Sequence, residues 1–445
     1  MLGASDFTRG RITPQLMKLA LPIMGTAFIQ MAYNMADFYW IGHLSGIAAA
    51  AVGAMGLYTW LGISLSMLTK VGAEITLSQS IGARTYERAR RYAQHALVLA
   101  LLFGVGFGVL LFAFERPLVS FFTFSSPDAV RYAREYLSVV SLGSPFAFLN
   151  ATLFGLYNGR GKSNLAFLAN GSGLLINLFL DPMLIEGYWI FPRLEVMGAA
   201  WATDIAQAIV TLLFIVLNLS PRAPFHDLLR GFRFSSSFVR RILGLGVPVT
   251  LLNGLFAFIS LIIARLVARW GDMGVAVQSV GAQIEAISWM TAGGFSTALA
   301  SFVGQNWGAH NIARIKKGYR ITLTYMLTLG SITTLLFMFW GSEFMGFFIP
   351  EAEAQRLGGI YLFIIGISQV FMILEITNSG VFNGIGRTSP PAIVGTTFNL
   401  LRIPLALWWG SLCVEGIWWG ITVSSILKGV SLTVVLLFIY RKRLA

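Results

Sequence analysis

Long apolar segments recur along the whole chain and are separated by short polar stretches. An α-helix rises 1.5 Å per residue, so about 20 apolar residues span the hydrocarbon core of a bilayer. Strands of a membrane barrel would be shorter and would alternate apolar and polar residues. The pattern therefore predicts twelve transmembrane helices, over residues 15–41, 49–75, 90–113, 131–157, 163–185, 196–218, 240–267, 275–303, 316–340, 356–382, 389–411 and 415–440.

The first of these segments carries polar residues on one face. Gln30, Tyr33, Asn34 and Asp37 recur at helical spacing, which places them on one side of an α-helix. A carboxylate in hydrocarbon is costly and usually faces a cavity, a partner or a substrate path. The four residues are therefore candidates for substrate binding, and the alternative is a structural hydrogen bond between helices. Pro22, about four turns below Asp37, predicts a bend and a candidate hinge.

Composition agrees with an integral membrane protein. Of 445 residues, 56 % are hydrophobic and only 11 % are charged, whereas a soluble domain carries about 25 % charged residues. The one cysteine, Cys413, excludes an intrachain disulfide and a site with several thiolates. The four histidines are scattered without a metal-ligand partner at helical spacing, so we expect them in loops and at the surface, with no metal site.

The net charge of +13 follows the predicted topology. Most of the 32 basic residues fall in alternate loops, on the same side as both termini. The positive-inside rule makes that side cytoplasmic. The basic excess therefore indicates membrane orientation and gives no reason to expect a nucleic-acid partner.

Motifs recur half a chain apart. Three motif pairs are separated by the same 226 residues, namely Pro22 and Pro248, Gln79-x-x-Gly82-Ala83 and Gln305-x-x-Gly308-Ala309, and Phe121-Phe122 and Phe347-Phe348. Asn158-Gly159-x-Gly161 likewise matches Asn383-Gly384-x-Gly386 at a distance of 225 residues. An even number of spans in each half makes the repeat parallel, about an axis along the membrane normal.

The predicted fold is thus an all-α integral membrane protein with two six-helix bundles related by a pseudo-twofold axis. We expect an N-terminal lobe over residues 1–219, a cytoplasmic linker over residues 220–241 and a C-terminal lobe over residues 242–445. In the repeated loops, glycines are expected to make the turn, and Ser163 and Thr388 are expected to cap the helices that follow. The Walker spacing of a nucleotide-binding loop is missing.

The duplication also shows where the halves differ. Asp37 aligns with Ile263, Asp181 with Ile403 and Thr203 with Ile421, whereas Asn177 keeps a counterpart in Asn399. Asp37, Asn177, Asp181 and Thr203 are all predicted in the outer half of the membrane. Two carboxyl groups, an amide and a hydroxyl at one depth are suited to a proton, Na⁺ or an organic cation. Burial and mutual repulsion both favour the protonated acid, so we expect one of the two acids to bind a proton.

The second half contains both signs of charge within its spans, at Glu285, Glu375, Arg402 and Lys428. Buried charges are commonly paired, so a structural role is expected first. A secondary role in proton or substrate binding remains open.

These features together resemble the multidrug and toxic compound extrusion (MATE) family. The resemblance rests on Pro22-x14-Asp37, the QxxGA and NGxG[KR][ST] loops and the duplicated six-span halves, and Asn177-x3-Asp181 is similar to the DinF-like branch. It implies an antiporter that exports cationic or amphipathic drugs, with a cation site at Asp37, Asn177, Asp181 and Thr203 and with Tyr33 nearby. Other branches are expected to have an acid in the seventh span, where residues 247–264 have none.

The predicted function is drug export by alternating access, driven by H⁺ through protonation of Asp37. Na⁺ coupling and a flippase for lipid-linked precursors are the alternatives. No cofactor is expected besides the coupling ion, and neither an HExxH motif nor another catalytic motif suggests an enzyme. We expect a monomer in the bacterial inner membrane, with both termini cytoplasmic and small-molecule drugs as its partners.

Overall fold

The computed structural model describes residues 5–124, 126–219 and 231–443. All regular secondary structure in these ranges is helical. The helices are α1 Ile12–Leu44, α2 Gly46–Gly82, α3 Tyr86–Ala113, α4 Glu115–Ser120, α5 Pro127–Gly159, α6 Ser163–Glu186, α7 Val196–Leu219, α8 Ser236–Ala268, α9 Asp272–Gly308, α10 Ile312–Gly346, α11 Ala352–Gly384, α12 Ser389–Trp409 and α13 Val414–Arg443.

Twelve of these helices are long and apolar enough to cross a membrane, and α4 is the short exception. Every predicted span overlaps one of them, so the predicted all-α membrane fold is confirmed. The helices extend beyond the predicted spans at most ends; α2 continues to Gly82 and α9 to Gly308. Hydropathy marks only the lipid-embedded part of a helix, whereas backbone hydrogen bonds continue into the polar region.

The chain divides into two compact units. Unit 1 comprises Met1–Asp6 and Gly25–Thr250, and unit 2 comprises Phe7–Met24 and Leu251–Ala445. The boundaries fall inside α1 and α8, in each case two residues beyond a proline, Pro22 or Pro248. The lobe boundaries at residues 219 and 242 stay a prediction, and residues 220–230 of the expected linker lie outside the described part of the chain.

One long helix forms the centre of each unit. In unit 1, α5 packs against α2, α3 and α7, and in unit 2, α11 packs against α9, α10 and α13. Both central helices approach a neighbour through two glycines one turn apart. A Cβ on Gly155 or Gly159 of α5 would lie 2.6 Å from a backbone oxygen of α2, at Lys70 or Glu74. A Cβ on Gly380 or Gly384 of α11 would lie 2.6 or 2.7 Å from the backbone of α9, at Ser296 or Ala300.

This close crossing predicts a stability defect. Gly155→Ala is expected to destabilise the protein by roughly 1–3 kcal/mol, because the new methyl group would force α5 and α2 apart. Gly106→Ala is the matched control, since a Cβ there meets no atom within 4 Å. Thermal unfolding of the two purified variants checks this; equal melting temperatures would contradict the close packing.

The start of α1 is held within unit 2 by one arginine. Arg314 of α10 donates hydrogen bonds to the carbonyl oxygens of Phe7, Arg9 and Gly10, at 2.7–2.9 Å, and to the Gln15 side chain. Asn306 also donates to the Phe7 carbonyl oxygen, at 3.1 Å. The first turns of α1 are therefore fixed at a point before Pro22.

The repeated NGxG loops form tight turns, as expected. Gly161 and Gly386 adopt positive φ angles of 81° and 76°, which a glycine tolerates without steric cost. The predicted caps are wrong. Ser163 is the first residue of α6 and not its cap, and Thr388 occupies the cap position of α12 without a side-chain hydrogen bond to the helix.

Candidate cation site

Five of the predicted site residues meet within unit 1, three of them half-buried and two buried. On α1, the hydroxyl of Tyr33 forms a hydrogen bond of 2.6 Å with the hydroxyl of Thr203 at the start of α7. Asp37, one turn above Tyr33, reaches both the Tyr33 hydroxyl and the carboxyl group of Asp181 on α6. Helical spacing explains the first pair, because residues four apart share a face. The contacts of α1 with α6 and α7 depend on tertiary packing, which helical spacing does not predict.

Asp181 is positioned from within its own helix. Asn177 lies one turn before it, and the amide Nδ2 of Asn177 donates to Asp181 Oδ1 at 3.3 Å. Both side chains are buried, with 1 % and 0 % of their surface exposed. The amide therefore stabilises a carboxylate that water does not reach.

In the described part of the chain, no basic side chain forms an ion pair with these acids. Among the ion pairs of the described residues, none includes Asp37, Asp181 or the nearby Asp204. Three buried oxygens, Asp37 Oδ1, Asn177 Oδ1 and Asp181 Oδ2, make no hydrogen bond within the described part of the chain. A buried carboxylate pair without a counter-ion is unfavourable unless a proton or another cation lies between the two groups.

Two further polar residues border this site. The hydroxyl of Tyr136 on α5 is within electrostatic range of Asp37, Asp181 and Asp204. Asp204 accepts a hydrogen bond from the backbone N–H of Gly143, and its Oδ2 has no partner among the described residues. Asp204 directly follows Thr203 in the sequence, and adjacent residues of a helix point in different directions. The sequence therefore predicts that Asp204 points away from the cluster. Tyr136 could not be singled out, because it is one of 13 tyrosines and has no Asp, Glu, Asn or Gln three or four residues away.

The other predicted residues of α1 lie apart from this cluster. Gln30 and Asn34 are exposed, and the Gln30 amide donates to Asn34 Oδ1 at 3.4 Å. The polar face of α1 is thus divided: Tyr33 and Asp37 contact α6 and α7, while Gln30 and Asn34 contact each other. Pro22 lies inside the continuous helix α1 and belongs to unit 2.

The ligand atoms of the site are all oxygens, from two carboxyl groups, an amide and two hydroxyls. Such a set suits a hard monovalent cation or a proton, and it can also accept hydrogen bonds from an organic ammonium group. Among the described residues, no group of three His, Cys, Asp or Glu is placed to hold a metal ion.

The expected surface placement of the histidines is wrong for His95. This side chain is 1 % exposed, and its Nε2 accepts a hydrogen bond from the backbone N–H of Ser235 at 2.9 Å. Its ring stacks on Phe238, with the ring centroids 5.1 Å apart. His95 therefore joins the segment before α8 to α3, a contact that a search for metal-ligand spacing does not reveal.

Comparison with known proteins identifies the family to which this chain belongs. The sequence profile of the MatE family matches residues 22–183 and residues 248–408, one match in each half of the duplication. The chain belongs to the MatE family, and the predicted resemblance to MATE transporters is confirmed.

Two relatives and one solved structure illustrate the similarity. The probable multidrug resistance protein NorM of Thermotoga maritima is 29 % identical over 407 residues, which cover 89 % of this chain and 85 % of that protein. A FAD transporter of Shewanella oneidensis is 23 % identical over 94 % of this chain and 92 % of its own. A crystal structure of a MATE protein in the bent conformation superposes with a TM-score of 0.90, at 24 % identity and over 97 % and 96 % of the two chains. The last comparison concerns the fold alone.

The asymmetry between the halves gives a testable prediction. Asn177→Ala is expected to lower transport strongly, because it removes the donor to Asp181; a buried hydrogen bond to a charged group is worth about 1.5–3 kcal/mol. Asn399→Ala, at the matching position of α12, is expected to affect mainly the melting temperature, since Asn399 is buried beside no predicted cation site. Transport assays on both folded variants check this, and equal losses would contradict the asymmetry.

Proposed function

We propose that the protein is a secondary active exporter that exchanges cationic or amphipathic organic compounds for H⁺. The coupling site is the cluster of Asp37, Asn177, Asp181 and Thr203, with Tyr33 holding Thr203. The supporting observation is the proximity of the half-buried Asp37 and the buried Asp181, two carboxyl groups that have no basic partner among the described residues. One proton shared by Asp37 and Asp181 would satisfy both groups.

Exchange follows from the same arrangement. A cationic compound and a proton both neutralise the negative charge, so binding of one favours release of the other. Protonation from the outer side would expel the drug, and proton release to the cytoplasm would restore the carboxylate for the next drug molecule. The unpartnered oxygens of Asp37 and Asn177 are the atoms available to the incoming cation.

Na⁺ is the second candidate for the coupling ion. It is favoured by the all-oxygen ligand set and in particular by Asn177 Oδ1, an acceptor that a proton on a carboxyl group does not require. A flippase for a pyrophosphate-bearing lipid is less well supported, because the charged residues described around this site are the acids Asp37, Asp181 and Asp204.

The remaining features of the proposal concern the family branch, the membrane and the assembly. The Asn177-x3-Asp181 pair supports the DinF-like branch, and the basic loops support a bacterial inner-membrane protein with both termini in the cytoplasm. We propose a monomer and no enzymatic activity. Light scattering of the purified protein tests the oligomeric state.

The decisive experiment uses the purified full chain in liposomes. Efflux or uptake of a fluorescent organic cation is measured under a pH gradient alone and under a Na⁺ gradient alone, with the membrane potential clamped. Transport driven by the pH gradient alone is the expected result. Transport driven only by Na⁺ would replace H⁺ with the second candidate, and transport with neither gradient would overturn antiport.

A further inference from the structure

A second cluster of charges, two buried and two half-buried, lies in unit 2. It is formed by Glu285 of α9, Glu375 of α11, Arg402 of α12 and Lys428 of α13. At the shifts that align the repeats, these residues match Thr59, Asn150, Leu180 and Val210, so the first half has no charge at any of the four positions. The cluster is not inherited from the duplicated scaffold, and it contains both signs of charge.

Only two of the four charges form a close ion pair. Lys428 Nζ lies 3.2 Å from Glu375 Oε2, and both side chains are largely buried. This pair agrees with the structural role expected for buried charges. It leaves Arg402 and Glu285 to be explained.

Arg402 is a buried guanidinium held by neutral groups. Its Nε donates to the Ser424 hydroxyl at 2.8 Å, and its Nη2 donates to the Ser425 hydroxyl at 3.0 Å. The side chain is 8 % exposed, and it lies over the ring of Phe256 at 5.6 Å from the ring centroid. Its third nitrogen, Nη1, makes no hydrogen bond to any described residue, and no described carboxylate forms a close ion pair with the group.

Glu285 is an acid that, like Arg402, is held by a neutral side chain. One of its oxygens, Oε1, accepts a hydrogen bond from the Gln369 amide at 3.0 Å, and the described residues give it no close basic partner. Arg402 and Lys428 lie within electrostatic range of it, but farther away than an ion pair. Unit 2 therefore contains an anchored cation with a free donor and an anchored anion, side by side and not in contact.

We propose that Arg402 and Glu285 form a second ligand subsite that binds zwitterionic organic compounds through their carboxylate. The guanidinium would bind the carboxylate through Nη1, while Glu285 faces the positively charged end of the same molecule. A guanidinium fixed by two hydroxyls retains its full charge for a ligand, which a guanidinium already paired with a carboxylate would not. Phe256, which is 39 % exposed, supplies an apolar ring next to the charged end.

This proposal does not depend on proton coupling in unit 1. It concerns ligand binding within unit 2, and it extends the substrates from simple cations to compounds that also carry a negative charge. Binding at equilibrium tests it, so failure of coupled transport and failure of this subsite are distinguishable.

The experiment uses two fluorescent probes that differ only at the carboxyl group. Rhodamine B is a zwitterion with a free carboxylate, and its ethyl ester is a cation with the same ring system. Fluorescence polarisation with the purified full chain gives a Kd for each probe. The wild-type protein is expected to bind rhodamine B at least as tightly as the ester; a clear preference for the ester would overturn the proposal without any variant.

Arg402→Gln is expected to raise the Kd for rhodamine B about tenfold relative to the Kd for the ester, as the loss of a charge-assisted hydrogen bond predicts. Arg402→Lys keeps the charge but not the planar donors, and it is expected to show a smaller selective loss. Glu285→Gln is expected to raise the Kd of both probes by the same factor, since both probes carry the delocalised positive charge.

Arg265→Gln is the matched control, because it removes an exposed arginine from α8 of the same unit and changes the net charge equally. It should leave the ratio of the two Kd values unchanged. The proposal is overturned if Arg402→Gln raises both Kd values by the same factor, which is the result expected of a purely structural role. It is also overturned if Arg265→Gln changes the ratio of the two Kd values as much as Arg402→Gln does. If Arg402→Gln does not fold, Arg402→Lys and the wild-type comparison decide the question.

Discussion

Asp37→Asn is expected to reduce drug export to the level of vesicles without the protein, while expression and thermal stability stay close to the wild type. Asparagine keeps the size of the side chain and can donate to Asp181, so the contacts of α1 with α6 and Thr203 survive. The substitution removes the group that alternates between charge and proton. Without that change the drug and the proton no longer compete, and the pH gradient cannot drive release.

Drug transport by this variant is measured in everted vesicles that respiration has energised. Asp128→Asn is a suitable control, because Asp128 is exposed and its ion pair with Arg131, at 3.7 Å, lies at the surface; exposed pairs contribute at most about 1 kcal/mol. Near-normal export by Asp37→Asn would remove Asp37 from the coupling mechanism and leave Asp181 as the proton carrier.

The second large effect is expected at Pro22. The N-terminal turns of α1 are fixed in unit 2 by Arg314, and from Gly25 onward the helix belongs to unit 1. A proline lacks the N–H that would complete the helical hydrogen bond, so bending at this position is easier than elsewhere in the helix. Asp37 lies roughly 22 Å beyond Pro22 along the helix, at 1.5 Å per residue, so a small bend displaces it by several ångströms.

Pro22→Ala should therefore slow turnover severalfold and leave drug affinity in alkaline buffer nearly unchanged, since the carboxylate is retained. Pro248→Ala is the matched control at the equivalent boundary of α8. It should matter less, because residues 249–264 beyond it contain no acid. Equal effects of the two substitutions would indicate a static kink that both halves share.

Spin labels can detect the bend directly. Lys18 and Met35 are exposed positions on either side of Pro22, and Cys413, the one cysteine, is exposed and can be replaced by serine. The distance between labels at residues 18 and 35 should change between acidic and alkaline buffer in the wild-type background and stay fixed in Asp37→Asn. A distance that does not respond to pH in the wild-type background would exclude the hinge.

Two features of the sequence, its hydropathy and its internal duplication, predicted the membrane spans and most of the clustered polar residues. Hydropathy predicted the spans because the lipid requires long apolar helices. The duplication led to Asp37, Asp181 and Thr203, because a polar residue that has replaced an isoleucine of the repeat needs a reason other than packing. The structure brings these residues together with Tyr33 and Asn177, although their role in coupling stays a prediction.

Other features depend on contacts that spacing cannot supply. Gln30 lies on nearly the same face of α1 as Asp37, yet it is exposed, because helical periodicity gives a direction around the axis and not the neighbour at each level. Tyr136 is a member of the site only through the position of α5. Buried charges are commonly paired, yet Arg402 donates to two serines of α13. Which partner a buried charge selects is decided by tertiary packing.

The division of α1 and α8 between the units bears on how the chain is assembled during synthesis. Residues 7–24 emerge from the ribosome before any other part of unit 2, and they must wait for α9 and α10 before their partners exist. Conversely, unit 1 is not complete until residues 236–250, the first part of α8, have been inserted. The two units therefore cannot fold one after the other during synthesis. Each includes a segment of a helix that begins or ends in the other unit, so neither is complete before translation has passed the middle of the chain.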